Sequence, residues 1–154
     1  MAQAETVVAR RAETREDMQA IYEFLSKRER LPARINPAKA QSAIATAVRA
    51  DLAIMVEADG VIVASAGFIR APWWFSDEEA FFSIWFHAAA EHRYPKVLRA
   101  LMDEIYELVV GEDVPAFIHH RPERQSAATL QQFSADFAIY PSGRELQLKP
   151  RGEA

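Results

Sequence analysis

The chain has 154 residues, half of them hydrophobic and 26% charged, with a net charge of −4 and no cysteine. This composition is typical of a soluble globular domain and excludes a disordered chain. The acidic balance argues against general nucleic-acid binding, which needs a basic surface, so no nucleic-acid partner is expected. The lack of cysteine excludes disulfides, thiolate metal sites and cysteine nucleophiles.

The first residues, MAQAETVVARRAETRED, lack the long apolar segment of a signal peptide. No segment approaches the roughly 20 consecutive apolar residues that span a bilayer, so no membrane partner is expected. We therefore predict a cytoplasmic protein or a soluble component of a larger assembly. No internal repeat, low-complexity segment or linker interrupts the chain, so residues 1–154 are predicted to form a single domain.

Hydrophobic spacing and turn residues divide the chain into strands and helices. Thr14 begins a weak capping box, and Asn36-Pro37 is a second helix start. Asp59-Gly60 predicts a tight hairpin turn, and Gly111 predicts the end of the third helix. The predicted elements are, in order, a strand at 6–12, helices from 14 and 36, strands at 52–58, 61–70 and 80–88, a helix at 94–110, a strand at 115–119, a helix at 123–135, and a hairpin of 137–140 with 145–149.

These connections predict an α+β fold with a central mixed sheet, mostly antiparallel, of about six to seven strands flanked by about four helices. The strand at 80–88, the helix at 94–110 and the strand at 115–119 form a β-α-β crossover. Because such a crossover returns the chain to the same end of the sheet, those two strands are predicted to be parallel.

Four stretches carry a resemblance to a known family: VVARRAETREDMQAIYEFL, the hairpin LAIMVEADGVIVASAGFIR, the strand–turn–helix at 80–110, and FAIYPSGRELQLK. In this order they resemble the GNAT (Gcn5-related N-acetyltransferase) superfamily. The resemblance implies a GNAT-like acyl-CoA N-acyltransferase fold, transfer of an acetyl group to an amine, and acetyl-CoA as cofactor. It further implies that the pantetheine arm lies where the fourth and fifth strands splay apart, with the pyrophosphate on the turn before the third helix.

The family's pyrophosphate turn aligns with the hexad RYPKVL, in which Arg93 matches the family pattern. Lys96 and Leu98 stand where the family usually has small residues, and Pro95 removes one N–H donor. The resemblance therefore implies a degenerate cofactor loop. The residues that it assigns to cofactor binding are Phe86, Ala88, Arg93, Tyr94, Lys96, Val97 and Leu98.

The family's usual acid, a tyrosine on the last helix, aligns here with Gln132, which cannot donate a proton as an acid. The candidates for a general base are His87 and Glu79, on or near the fourth strand. Of the two side-chain types, the imidazole of His87 has the ordinary pKa that is closer to neutral pH, which suits a general base better. His119 and His120 are adjacent on a strand and point to opposite faces, so no metal site is predicted.

Trp73, Trp74 and Phe75 form an unusually aromatic loop beside the strand at 80–88. Core packing accounts for the aromatic side chains on one face of that strand, and the other set predicts either a substrate pocket or a protein interface. Large exposure of the loop residues would favour a protein partner or self-association. Two functions therefore remain open. One is an N-acyltransferase, and the other is a catalytically inactive GNAT-fold structural or interaction subunit, such as a phage virion or complex component.

Overall fold

The computed structural model of the chain describes residues 6–27, 34–89, 94–119, 136–142 and 145–147. The fourth predicted helix, at 123–135, and the turn that contains Arg93 lie outside the described residues. The described elements are β1 (Val7–Arg11), α1 (Arg15–Ser26), α2 (Pro37–Arg49), β2 (Ala53–Ala58), β3 (Val61–Pro72), β4 (Glu79–Ala88), α3 (Tyr94–Glu112), β5 (Ala116–His119), β6 (Asp136–Ile139) and β7 (Glu145–Gln147).

The strands form one sheet in the order β1-β2-β3-β4-β5-β6-β7. Every neighbouring pair is antiparallel except β4 and β5, which run parallel. Because α3 carries the chain back along the sheet before β5 begins, the two strands run in the same direction. The predicted mixed, mostly antiparallel sheet and its single β-α-β crossover are confirmed.

The helix starts follow the predicted caps. Thr14 is the N-cap of α1, where its Oγ1 accepts from the Asp17 N–H at 3.0 Å, and Asn36 caps α2 by accepting from the Lys39 N–H at 3.1 Å. The predicted stop at Gly111 is wrong, because α3 continues to Glu112 and Asp113 takes the left-handed conformation at φ 54°. Aspartate tolerates that conformation better than most residues. None of the described helices combines the length and apolar character needed to cross a bilayer.

The β2–β3 hairpin turns at Asp59-Gly60, as predicted. Both residues have positive φ, 51° and 83°, which is the conformation of a type I′ turn. The Asp59 carboxylate also accepts from the Thr6 N–H at 3.0 Å, so the turn is tied to the start of β1. This bond holds β1 beside the two strands of the hairpin, so the turn helps to position three adjacent strands.

The two faces of the sheet carry two hydrophobic clusters. One lies under α3 and contains Phe81 of β4 together with Leu101 and Ile105 of the helix. The other lies under α1 and α2 and contains Ile21 and Ile44, with Trp85 of β4 packed against it. Strand β4 therefore contributes large side chains to both clusters and is held from both sides.

An ion-pair cluster joins β1, α1 and β2. The Arg10 guanidinium donates two hydrogen bonds to Asp17, at 2.8 and 2.9 Å, and one to Glu57 at 2.8 Å. Asp17 also accepts the backbone N–H groups of Glu13 and Thr14, and its side chain is only 9% exposed. The bond from Arg10, helped by those N–H groups and opposed by burial, holds the pKa of Asp17 well below its usual 3.8.

Candidate functional site

The described residues of the parallel strands β4 and β5 pair at one end only. The described register pairs them at two positions, Phe81 with Ala116 and Phe82 with Phe117. The Phe81 N–H also donates to the Pro115 carbonyl at 2.8 Å, which closes the pair at its N-terminal end. Beyond Phe82, β4 continues to Ala88 along β3, without further described register to β5. We call the unpaired region between the two strands, from Phe82 to the end of β4, the β4–β5 wedge.

A β-bulge lies where the wedge begins. Gly67 of β3 pairs with Trp85, whereas the next residue, Phe68, pairs with Ser83, so Ile84 is an extra residue on β4. A bulge bends its strand and increases the local twist. The bulge falls directly after the last described β4–β5 pair, so the pairing of the two strands stops where β4 bends.

Trp85 fixes β4 against β3 next to the bulge. Its indole lies across Gly67, where an added Cβ would overlap the six-membered ring. The indole Nε1–H donates to Ser65 Oγ at 2.9 Å, and that hydroxyl donates to the Ile54 carbonyl at 2.8 Å. Glycine is required here for close approach rather than for an unusual backbone angle. The bulged part of β4 is thus held rigidly on one side of the wedge.

The two candidate bases lie at opposite ends of β4. His87 is one residue from the open end of the wedge, and its ring contacts Phe24 of α1 with centroids 5.5 Å apart. Glu79 is the first residue of β4 and pairs with Arg70 at 3.3 Å. The two candidates are eight positions apart along the strand, which is about 25 Å. The structure therefore does not bring them together, and His87 alone lies at the open end.

The described residues contain no group of three or more His, Asp or Glu side chains arranged to hold a metal ion.

Comparison with known proteins identifies the fold. No protein-family model and no curated protein match the chain. A GCN5-related N-acetyltransferase from Kribbella flavida aligns with a TM-score of 0.63 at 13% identity, covering 75% of this chain and 30% of that protein. Diaminobutyrate acetyltransferase EctA from Paenibacillus lautus, in complex with L-2,4-diaminobutyric acid and coenzyme A, aligns at 0.54 and 19% identity, covering 75% of this chain and 68% of that one. The chain has the GNAT fold.

A GNAT family acetyltransferase from Staphylococcus aureus aligns with a TM-score of 0.54 at 12% identity, over 72% of this chain and 83% of that chain. The predicted acyl-CoA N-acyltransferase fold is therefore confirmed. The alignment spans less than a third of the Kribbella protein but most of the Staphylococcus one, so the GNAT fold here matches both a part of a larger protein and a small one.

Three of the predicted cofactor contacts are core residues of this GNAT fold. Phe86 and Ala88 of β4 and Val97 of α3 are all buried in the cluster under α3. Their side chains pack inside the protein, so they could meet a ligand only through their backbone groups. This placement keeps the α3 side of the wedge apolar and tightly packed.

The other predicted contacts lie at the start of α3. Tyr94 is the first residue of the helix, Lys96 is exposed on its first turn, and Leu98 is half-buried. Arg93 falls outside the described residues. Among the described residues, Lys96 thus places a positive charge at the start of α3, next to the open end of the wedge. Its assignment to cofactor binding stays a prediction.

A group of aromatic rings lies at the closed end of the wedge. Trp73 packs against Phe82 and Phe117, with centroids 5.0 and 4.7 Å apart, and Phe117 lies 6.2 Å from Tyr140. Sequence reasoning missed Phe117 and Tyr140. The signal for Phe117 was the alternation in AFIH, since a buried Ala116 and Ile118 direct it to the opposite face.

The neighbouring aromatic residues project outward. Trp74 is 94% exposed and Phe75 is 66% exposed, although their rings contact each other with centroids 5.4 Å apart. Trp73 therefore packs on the sheet, Phe75 stacks on Trp73 with centroids 5.7 Å apart, and Trp74 and Phe75 form a surface patch that continues from it.

Proposed function

We propose that the protein is an acyl-CoA-dependent N-acyltransferase that holds acetyl-CoA in the β4–β5 wedge. The observation that carries the proposal is the two-pair ladder between β4 and β5. The pantetheine arm of CoA contains two amide groups, which can pair with a strand edge as an added strand does. The P. lautus enzyme of the same fold was solved with coenzyme A, which supports the same class of cofactor.

The anionic end of the cofactor is assigned to the start of α3. The N-terminus of a helix attracts anions through its free N–H groups and its dipole. Pro95 lacks an N–H, so this helix offers one donor fewer than a turn without proline. Lys96, exposed in the same turn, supplies a positive charge that offsets part of this loss.

Bound acetyl-CoA supplies a thioester carbonyl that an amine can attack. The amine nitrogen forms a bond to the carbonyl carbon, the carbon–sulfur bond breaks, the nitrogen loses a proton and the sulfur gains one. His87 lies on β4 next to the open end of the wedge and is the residue assigned to remove the amine proton. Phe24 packs against its ring, so α1 fixes the orientation of the imidazole.

Coenzyme A at about 100 times its dissociation constant is expected to stabilise the protein by roughly 2.7 kcal/mol, or about 5–10 °C in melting temperature. Lys96→Glu is expected to weaken binding by about tenfold, because it places a negative charge beside the phosphates. Arg99→Glu is the matched control, since Arg99 is also exposed on α3 and the change in net charge is the same. Calorimetric titration of the three proteins measures the effect.

Two results would count against this proposal. If coenzyme A does not bind saturably to the unaltered protein, the proposed enzyme function is wrong. Equal weakening by Lys96→Glu and Arg99→Glu would show only a general charge effect, and the phosphates would then not lie at the start of α3.

A second candidate function rests on the exposed pair Trp74 and Phe75. A GNAT-fold interaction subunit would bury these side chains against a protein partner or a second copy of itself, because two adjacent exposed aromatic rings are costly to keep in water. Self-association is the form that can be tested with the chain alone.

Sedimentation velocity over a concentration series is expected to show association if the patch is an interface. Trp74→Ser should then shift the protein to monomer and weaken association by about tenfold or more, as loss of an aromatic anchor does. Val61→Ser is the control, because Val61 is 64% exposed in the β2–β3 hairpin, away from the loop. A monomer at all concentrations would rule out self-association through this patch.

A further inference from the structure

The four half-buried rings at the closed end of the wedge share one face of the sheet. Phe82 and Phe117 are register partners, so their side chains lie side by side, with centroids 6.0 Å apart and planes inclined by 22°. Trp73 meets both rings edge to face, and Tyr140 meets Phe117 in the same manner. We call Trp73, Phe82, Phe117 and Tyr140 the aromatic face.

The aromatic face ends where the two strands separate. The Phe82–Phe117 pair is the last described position of the β4–β5 register, and it therefore marks the vertex of the wedge. The side chains of the preceding pair, Phe81 and Ala116, are buried on the opposite side, under α3. A molecule lying on the aromatic face thus reaches the vertex of the wedge from the side opposite to α3.

The chemistry around the aromatic face suits a cation with an apolar body. The loop that carries Trp73 folds back on itself, with the Trp73 N–H donating to the Glu78 carbonyl at 3.1 Å. Its end carries the exposed acidic residues Asp77 and Glu78. Aromatic ring faces and carboxylates both attract an ammonium group.

We infer that the aromatic face is the acceptor subsite and that it selects primary amines carrying an aromatic or branched apolar group. This inference rests on the proposed N-acyltransferase function. The rings hold the apolar body of the amine, and its nitrogen is directed from the vertex into the wedge, along the face of β4 that carries His87. The four residues act in specificity and make no bond in the reaction.

The test measures release of CoA from acetyl-CoA with 2-phenylethylamine and with putrescine, a polar amine of similar length. The unaltered protein is expected to prefer 2-phenylethylamine by at least about tenfold in kcat/KM, since a buried aromatic group contributes on that scale. Phe117→Leu, which keeps an apolar side chain, should raise KM for 2-phenylethylamine by about fivefold or more. Its kcat and its KM for acetyl-CoA should change by less than about twofold.

Tyr106→Leu is the matched control, because Tyr106 is an exposed aromatic residue on α3 and should leave all constants unchanged. If Phe117→Leu does not fold, Phe82→Leu applies the same change to the other ring of the pair. Preference for putrescine, or an unchanged KM in the folded variant, would overturn the inference. So would a dimer that Phe117→Leu dissociates, because a second copy would then cover the face.

The two proposals fail in different ways. If coenzyme A does not bind, the N-acyltransferase proposal is wrong, and the acceptor assignment, which depends on it, is wrong as well. If coenzyme A binds but the protein prefers the polar amine, only the acceptor assignment is wrong. Calorimetric titration with coenzyme A before the kinetic measurements therefore distinguishes the two.

Discussion

Gly67→Ala is expected to lower the free energy of unfolding by about 2–3 kcal/mol, because the new methyl group would overlap the indole of Trp85. The indole cannot move away freely, since its Nε1–H is bonded to the buried Ser65 hydroxyl at 2.9 Å. Displacing the ring would leave that buried hydroxyl short of a donor and would open the cluster under α1 and α2. The expected fall in melting temperature is roughly 5–10 °C, measured by calorimetry.

A double-mutant cycle separates overlap from any other effect of the alanine. In a Trp85→Leu background the large ring is gone, so Gly67→Ala should then cost about 0.5 kcal/mol or less. It could even stabilise the protein, because alanine loses less backbone entropy than glycine on folding. A cost that is the same in both backgrounds would show that the Trp85 contact is not the reason for glycine at this position.

Asp17→Asn is expected to cost about 2 kcal/mol of stability at pH 7, because asparagine loses the charged pair with Arg10. The carboxylate is nearly buried and accepts two bonds from that guanidinium. Removal of one partner of a fully buried pair costs about 3–5 kcal/mol. The Arg10 side chain is itself 40% exposed and remains hydrated, so the expected loss is smaller.

The same variant should change how stability depends on pH. The pKa of Asp17 is lowered in the folded protein, so the folded state binds its proton less readily than the unfolded state does. The stabilisation that ionised Asp17 provides is therefore fully present above about pH 5. It declines as the pH falls from the usual aspartate pKa of 3.8 toward the lower pKa of Asp17 in the folded protein. The stability difference between the two proteins should shrink over that interval.

Glu16→Gln is the matched control for Asp17→Asn. Glu16 lies in the same first turn of α1 but is exposed, and Asp17 instead provides the capping-box contact to Thr14. Its replacement should cost about 0.5 kcal/mol or less, which is the usual size of an exposed charge near a helix start. Urea denaturation at several pH values measures both variants, and a difference for Asp17→Asn that stays constant down to pH 2 would contradict the assignment.

Local signals in the chain predicted most of the fold. The Thr14 and Asn36 caps and the Asp59-Gly60 turn depend on a few neighbouring residues, so the printed sequence contains all that is needed to place them. The predicted helix end at Gly111 was wrong, because contacts with the sheet as well as neighbouring residues decide where this helix ends. Helix α3 continued because Leu108 and Val109 are buried against the sheet, and Asp113 could take the left-handed conformation without a glycine.

The candidate site was less accessible from the sequence. Phe82 and Phe117 are far apart in the chain, and only their pairing as parallel strands places their rings together at the vertex of the wedge. Tyr140 joined them because β6 lies beside β5. Glu79 and His87 were both candidate bases on or near one strand, yet the length of β4 puts them at opposite ends.

Taken alone, the sequence determined the order of the described strands and helices, the starts of the first two helices and the single parallel pair, because these follow from short-range backbone preferences and hydrophobic spacing. The tertiary structure decided where β4 and β5 separate, why Gly67 has no side chain and which aromatic rings meet. Those features depend on strand register and on contacts between distant residues, which a shift of one residue would abolish.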